Sequence, residues 1–322
     1  MSKLARLLLV TGLCGLGGLG GLSVAVPRAA FAEDADAYYK QGLAYKQEGK
    51  ADQAIESLEH AVAANPRHYM AWASLGNLYK TARKDIPKAV AAYEHAVAGM
   101  KKDKVVWANL GMAYYRNNQI DQALSALVTA STLDPNDAEI RGNLGTVRRQ
   151  KGDLPGAIAD LEAAVKLKPE DAQFANNLGV AYRVAKREAD AIKVFQRAIE
   201  LAPNDASFHF NLAVAYRRQT EKTPDLIPQA ISEYEKATSL DPANAEGWFD
   251  LGFMYKLDHQ NDKAIAAFHK YLELNKGKDA SGQKRIEDEI GAMGGTVPGD
   301  KADKTARKPK VTDGAKKPAP KK

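Results

Sequence analysis

The chain has 322 residues, 45% hydrophobic and 27% charged, with one cysteine and a formal charge of +6. That charge sits at the two ends: residues 1–32 carry +3 and residues 294–322 carry +6, which leaves −3 on residues 33–293. A body of that sign excludes a nucleic-acid-binding core argued from basicity, and a lone Cys14 excludes disulfides, cysteine zinc sites and thiol chemistry beyond it.

From the N-terminus, Lys3 and Arg6 precede an uncharged apolar run, residues 7–26, with six glycines. Ala30, Phe31 and Ala32 put small residues at the −3 and −1 positions of a cleavage site before Glu33. This order predicts a secretory signal over 1–32, cleaved near Ala32, and a periplasmic or secreted product. An uncleaved inner-membrane anchor is the alternative, since twenty uncharged residues can span a bilayer. Leu13 before Cys14 argues against a lipoprotein.

Beyond the signal, a small residue recurs at Gly42, Gly76, Gly111, Gly145, Gly179, Ala213 and Gly252, in steps of 34, 35, 34, 34, 34 and 39. Three residues later stand Tyr45, Tyr79, Tyr114, Arg148, Tyr182, Tyr216 and Tyr255. A second small residue follows at Ala54, Ala89, Ala123, Ala157, Ala191, Ala230 and Ala264. Such a period predicts stacked helical hairpins, in units 35–68, 69–103, 104–137, 138–171, 172–205, 206–244 and 245–278. Positions below are counted from the start of each unit. Pro66, Pro135, Pro169, Pro203 and Pro242 end second helices, whereas Pro87, Pro155 and Pro228 suit their first turns. Unit six carries about five extra residues around 219–229, expected to lengthen its internal loop. Residues 279–293, with Ile286, Ile290 and Met293 at helical spacing, predict a solvating cap helix. Residues 294–322 are Gly, Pro, Lys, Ala, Asp and Thr without apolar periodicity, a composition expected to be disordered.

Trp107, Leu110, Gly111, Tyr114, Ala123, Leu127, Ala130 and Pro135 fill one unit's pattern, and Trp72, Trp107 and Trp248 all occupy position 4. This pattern closely resembles the tetratricopeptide repeat, over about 240 residues. The resemblance implies an all-α, right-handed α-solenoid of seven helix-turn-helix repeats plus the cap helix. It also implies a protein-protein interaction scaffold of the secreted or periplasmic bacterial type, serving assembly of a cell-envelope machine.

No catalytic motif accompanies the repeats. His60, His68, His95, His209, His259 and His269 fall at non-equivalent positions without ligand spacing, and no phosphate loop or nucleophile elbow occurs. The expectation is no enzyme, no cofactor, no metal, no small-molecule substrate and no nucleic acid.

By the same resemblance, positions 2, 5, 6, 9, 12 and 13 of each unit face a concave groove. Two rows stand out there. Position 6 reads Asn109, Asn143, Asn177 and Asn211 and continues as Asp250, preceded by Lys40 and Ser74. An asparagine amide both donates and accepts, so it can bracket a peptide bond of an extended ligand. Position 12 reads Lys46, Lys80, Arg149, Arg183, Arg217 and Lys256, broken by Tyr115 with Arg116 following, and joined by Arg218. A basic stripe in an acidic body steers anionic ligands, and arginine pairs bidentately with carboxylates. The predicted partner is a protein or peptide with an extended, acidic or polar segment. The family's clamp for a C-terminal carboxylate is met by Asn77 and Asn109, but Ala73, Glu139 and Asn143 fail its other places, so no chaperone-tail clamp is expected. The alternative function is an envelope-surface tether in which the basic 294–322 tail holds an anionic lipid or polymer.

Overall fold

The computed structural model describes residues 28–296, and side chains from residue 34. Its contacts form two units, residues 1–106 and 107–322. Among the described residues there is no strand. The first unit holds α1 (Arg28–Gln47), α2 (Ala51–Ala64), α3 (Tyr69–Leu78) and α4 (Ile86–Gly99). α5 (Lys104–Arg116) crosses the boundary residue. The second unit continues with α6 (Ile120–Leu133), α7 (Ala138–Lys151), α8 (Leu154–Leu167), α9 (Ala172–Val184), α10 (Glu188–Leu201), α11 (Ala206–Arg217), α12 (Ile227–Leu240), α13 (Ala245–Leu257), α14 (Asn261–Leu274) and α15 (Ala280–Ala292). Residues 1–27, with Cys14 and most of the predicted signal, lie outside the described residues, as do 297–322 of the tail. α1 begins at Arg28 and so runs through the predicted cleavage site.

Local chemistry sets the helix boundaries. Asp137, Asp171 and Asp205 stand just before α7, α9 and α11, and each accepts a hydrogen bond from a backbone N–H of the first turn. Asn244 does the same for α13. Such N-caps satisfy donors that the helix itself leaves unpaired. Pro87, Pro155 and Pro228 fall in the first turns of α4, α8 and α12. Inside the hairpins, position 15 takes the left-handed conformation at Gly49, Asn118, Gly152, Lys186 and His259. The step of 35 has a local cause as well: one extra residue is absorbed in a π-helical turn, Tyr79–Arg83, followed by left-handed Lys84. In unit six, α11 ends at Arg217, and a 3-10 turn, Pro224–Leu226, leads into α12.

Packing explains the small residue at position 8. A Cβ added at Gly42, Gly145 or Gly179 would lie 2.7, 2.7 or 2.5 Å from Leu58, Leu161 or Phe195 respectively. Those large residues are position 24 of the same hairpin and are fully buried. Position 20 contributes its backbone: the Ala157 carbonyl lies 2.9 Å from the Cβ site of Gly145. The side chain that fills the helix crossing at position 8 therefore comes from position 24, and the small residue at position 20 brings its backbone close. At the C-terminal end, Ile286 and Ile290 of α15 are fully buried in a cluster with Leu251, Met254 and Phe268. The cap helix therefore covers the last hairpin's apolar face.

Polar bonds tie successive hairpins. Tyr79 donates to Glu59 and Tyr182 to Glu162, both at 2.6 Å, from position 11 to position 25 of the preceding unit. Unit four departs: its position 11 is Arg148 and the preceding position 25 is Val128, which has no acceptor to offer. Arg148 turns instead to Asp160, with Nη1 3.0 Å from Oδ2, and Arg141 Nη1 lies 2.8 Å from Oδ1 of the same buried carboxylate.

Candidate partner-binding surface

Each first helix delivers its position-6 and position-12 side chains about one and two-thirds turns apart. In the second unit, α7 packs against α9 and α9 against α11, so their equivalent residues form rows. Arg149, Arg183 and Arg217 end these helices, where cations also complement the carbonyl-rich terminus.

The arginines are close enough to affect one another. Burial lowers the pKa of Arg183, and the charges of Arg218, Arg149 and Arg217 lower it further. Arg183 Nε is buried and has no hydrogen-bond partner among the described residues. A buried donor without an acceptor carries a desolvation cost of about 1–3 kcal/mol, more for a charged group. Arg149 is half-buried and makes no ion pair among the described residues.

The rest of the basic row is already engaged or lies apart. Arg217 Nε donates to the Tyr234 hydroxyl at 3.1 Å, and its Nη2 lies 3.6 Å from Asp250. At Arg217, burial opposes the charge, but Tyr234 and Asp250 outweigh it and the pKa rises. Arg218 pairs with Glu188 at 3.3 Å. Lys256 pairs with Glu289 of the cap helix. Arg116 is exposed at the end of α5. In the first unit, Lys46 is exposed, and Lys80 lies in the π turn with Nζ 5.8 Å from the centre of the Tyr93 ring.

Position 6 likewise divides. Asn143 is half-buried and makes no side-chain hydrogen bond among the described residues. Asn177 accepts from Gln173 at 3.0 Å, and Asn211 donates to Asn176 at 2.9 Å. Asn109 is half-buried on α5. Asp250 is only 6% exposed and accepts from Tyr234 at 2.9 Å, so it belongs to an internal network. Asn77 accepts from Tyr93 at 2.9 Å while its own amide donates to the Ala73 carbonyl, which occupies it inside its hairpin. The surface with open polar groups therefore centres on Asn143, Arg149 and Arg183.

A second regularity passes unnoticed in the sequence. Trp72 and Trp248 donate Nε1–H to the carbonyls of Pro66 and Pro242, six residues back, each at 3.0 Å. Arg141 Nε reaches the Pro135 carbonyl at 3.0 Å, and His209 Nε2 lies 2.9 Å from that of Pro203. In these four units position 4 thus holds a side-chain nitrogen against that carbonyl, and the shared donor type among Trp, Arg and His was the available signal. Among the described residues no group of three or more His, Cys, Asp or Glu is arranged to hold a metal ion, and no helix is long and apolar enough to cross a membrane.

A family model described as the cilia and flagella-associated protein 70 C-terminal domain, a tetratricopeptide-repeat model, matches residues 13–247. A second, described as tetratricopeptide repeat, matches residues 233–266. The chain belongs to this tetratricopeptide-repeat family. Among solved structures, the array is similar to a tetratricopeptide repeat protein from Parabacteroides merdae, at 17% identity and TM-score 0.61, covering 81% of this chain and 99% of that one. It is similar to PilF of Pseudomonas aeruginosa at 22% identity and TM-score 0.54, over 72% of this chain and 99% of that one. A chain of the APC/C hetero-tetramer Cut9–Hcn1 matches at 22% identity and TM-score 0.60, over 78% of this chain and 49% of that one. At these identities the likeness concerns the fold. No curated protein matches the sequence significantly. Tetratricopeptide arrays are typically non-enzymatic; the family supports reading this stack of hairpins as a protein-protein interaction scaffold.

Proposed function

We propose that this tetratricopeptide protein is an interaction scaffold whose first helices α7, α9 and α11 hold an extended, acidic segment of a partner protein. The observation that carries this reading is the buried, unpartnered Nε of Arg183 inside a cluster of like charges. An arginine so placed, crowded by Arg149, Arg217 and Arg218, gains from an incoming anion. Asn143 on the neighbouring α7 offers an amide to the segment's backbone.

The test is photocrosslinking in the cells of origin. A crosslinking residue at Val180 on α9 should yield a partner adduct, and one at Glu162 on α8 should not. Adducts from Glu162 alone would overturn the reading.

The basic n-region, apolar run and small-residue site support a periplasmic location, where the family resemblance suggests a role in assembling a cell-envelope machine. The mature protein should then begin at Glu33, which N-terminal sequencing of the secreted form checks; a mature chain that retains Lys3 would contradict cleavage.

A further inference from the structure

Three successive repeats pose one electrostatic problem and solve it differently. Arg217, at position 12 of unit six, has an internal solution. Tyr234, at the equivalent of position 24, receives its Nε–H at 3.1 Å and donates onward to Asp250 at 2.9 Å. Asp250, at position 6 of the next unit, places Oδ2 3.6 Å from Arg217 Nη2. Both partners are buried, Tyr234 completely and Asp250 to 6% exposure. The arginine, the hydroxyl and the carboxylate form a closed set.

One repeat back, Arg183 occupies the same place. Its position-24 neighbour is Phe195, not tyrosine, and the following position 6 is Asn211, not aspartate. The hydroxyl and the charge have both gone. Asn211 directs its amide to Asn176, and Arg183 Nε stays buried without a partner among the described residues. One repeat further back, Arg149 has Leu161 and Asn177 at those two places and no ion pair among the described residues. Thus, among the described residues, the position-12 arginines comprise one with a built-in carboxylate and two without.

We propose that Arg183 and Arg149 form two carboxylate subsites, one repeat apart, that take acidic side chains of the bound segment in the role Asp250 plays for Arg217. This rests on the groove reading and adds the residues and the spacing. Packed helices lie ~8–10 Å apart. A polyproline-II segment has three residues per turn and rises ~3.1 Å per residue, so every third side chain returns to the same face after roughly 9 Å. A β-strand returns to one face every second residue, after ~6.6 Å, and misses that interval. The preferred motif is therefore an Asp or Glu, two intervening residues, and a second Asp or Glu, in a proline-rich context. A carboxylate is assigned rather than a phosphate because the filled member of the series uses one.

The test is fluorescence anisotropy of the full chain with labelled proline-rich peptides carrying two Glu at i and i+3. Changing either Glu to Gln, or moving the pair to i+2, should weaken binding about 10-fold or more, the scale of one charge-assisted hydrogen bond. Arg183→Gln should do the same. The decisive variant supplies the internal partner instead: Phe195→Tyr with Asn211→Asp should close the Arg183 subsite and weaken binding ~10-fold, with circular dichroism unchanged. If Tyr perturbs the core, Asn211→Asp alone provides the same comparison. Wild-type affinity in the closed variant together with loss in Arg149→Glu/Arg183→Glu would overturn the subsites and leave the groove reading intact. Peptide binding unaffected by every one of these changes would overturn both. Inorganic phosphate that competes better than glutarate at equal ionic strength would overturn the carboxylate assignment.

Discussion

Arg149→Glu combined with Arg183→Glu should abolish partner capture, with an affinity loss on the order of 1000-fold, or about 4 kcal/mol. Two charge-assisted hydrogen bonds at ~1.5–3 kcal/mol each account for that size, before any repulsion between the new carboxylates and an acidic segment is counted. The pair is chosen on structural grounds. Neither arginine has an ion pair among the described residues, so reversing them strands no partner. Arg217 is a poor choice, because Glu there would stand beside the buried Asp250 carboxylate and unsettle the packing of α12 on α13. Titration of the captured partner against wild-type and double-variant protein, with circular dichroism as the folding control, checks the prediction. Undiminished capture by a folded double variant would remove the groove from the account.

Gly179→Val should destabilise the second unit by about 3–5 kcal/mol and lower its melting midpoint by roughly 10 °C. A Cβ at Gly179 would lie 2.5 Å from a ring carbon of Phe195, a contact that real Cβ atoms do not make. Phe195, on α10, is fully buried in a cluster with Leu161, Leu178 and Leu212, so its ring can move only by displacing them. The hairpin must open instead, and the ~1 kcal/mol that glycine costs a helix interior is not recovered. Gly152 is the contrast: its φ is 90° and nothing lies within 4 Å of its Cβ site. Gly152→Ala should therefore cost only about 1–2 kcal/mol, from left-handed backbone strain. Thermal melts of the two variants distinguish crowding from backbone conformation. Because Gly179 and Arg183 share α9, opening this hairpin should also weaken partner binding.

The hairpin array was legible because each repeated residue answers a packing demand that recurs every 34 residues. Position 8 is small where position 24 crosses it, proline stands where a helix cannot continue, and Ile286 and Ile290 mark the last covered face. The π turn was not legible, since one extra residue between Tyr79 and Ala89 fits a longer loop equally well until backbone hydrogen bonds place it. The surface was legible as two rows but not as open and closed members of those rows. Position 6 alone makes Asp250 look like an extension of the asparagines, yet Tyr234 and Arg217 hold it inside. Lys256 belongs to the row by spacing, but a glutamate from α15, outside the repeats, neutralises it. What separates open from closed positions is the pairing of Tyr234 with Asp250 against that of Phe195 with Asn211. Those residues lie in different helices, and their relation emerges only when the hairpins are stacked.

The most direct measurement is mass-spectrometric sequencing of the partner segment crosslinked at Val180. The account predicts an extended, acidic stretch with carboxylates three residues apart, and loss of the adduct when Arg149 and Arg183 are reversed. An apolar or basic segment at that position, or an adduct that persists in the double variant, would contradict it.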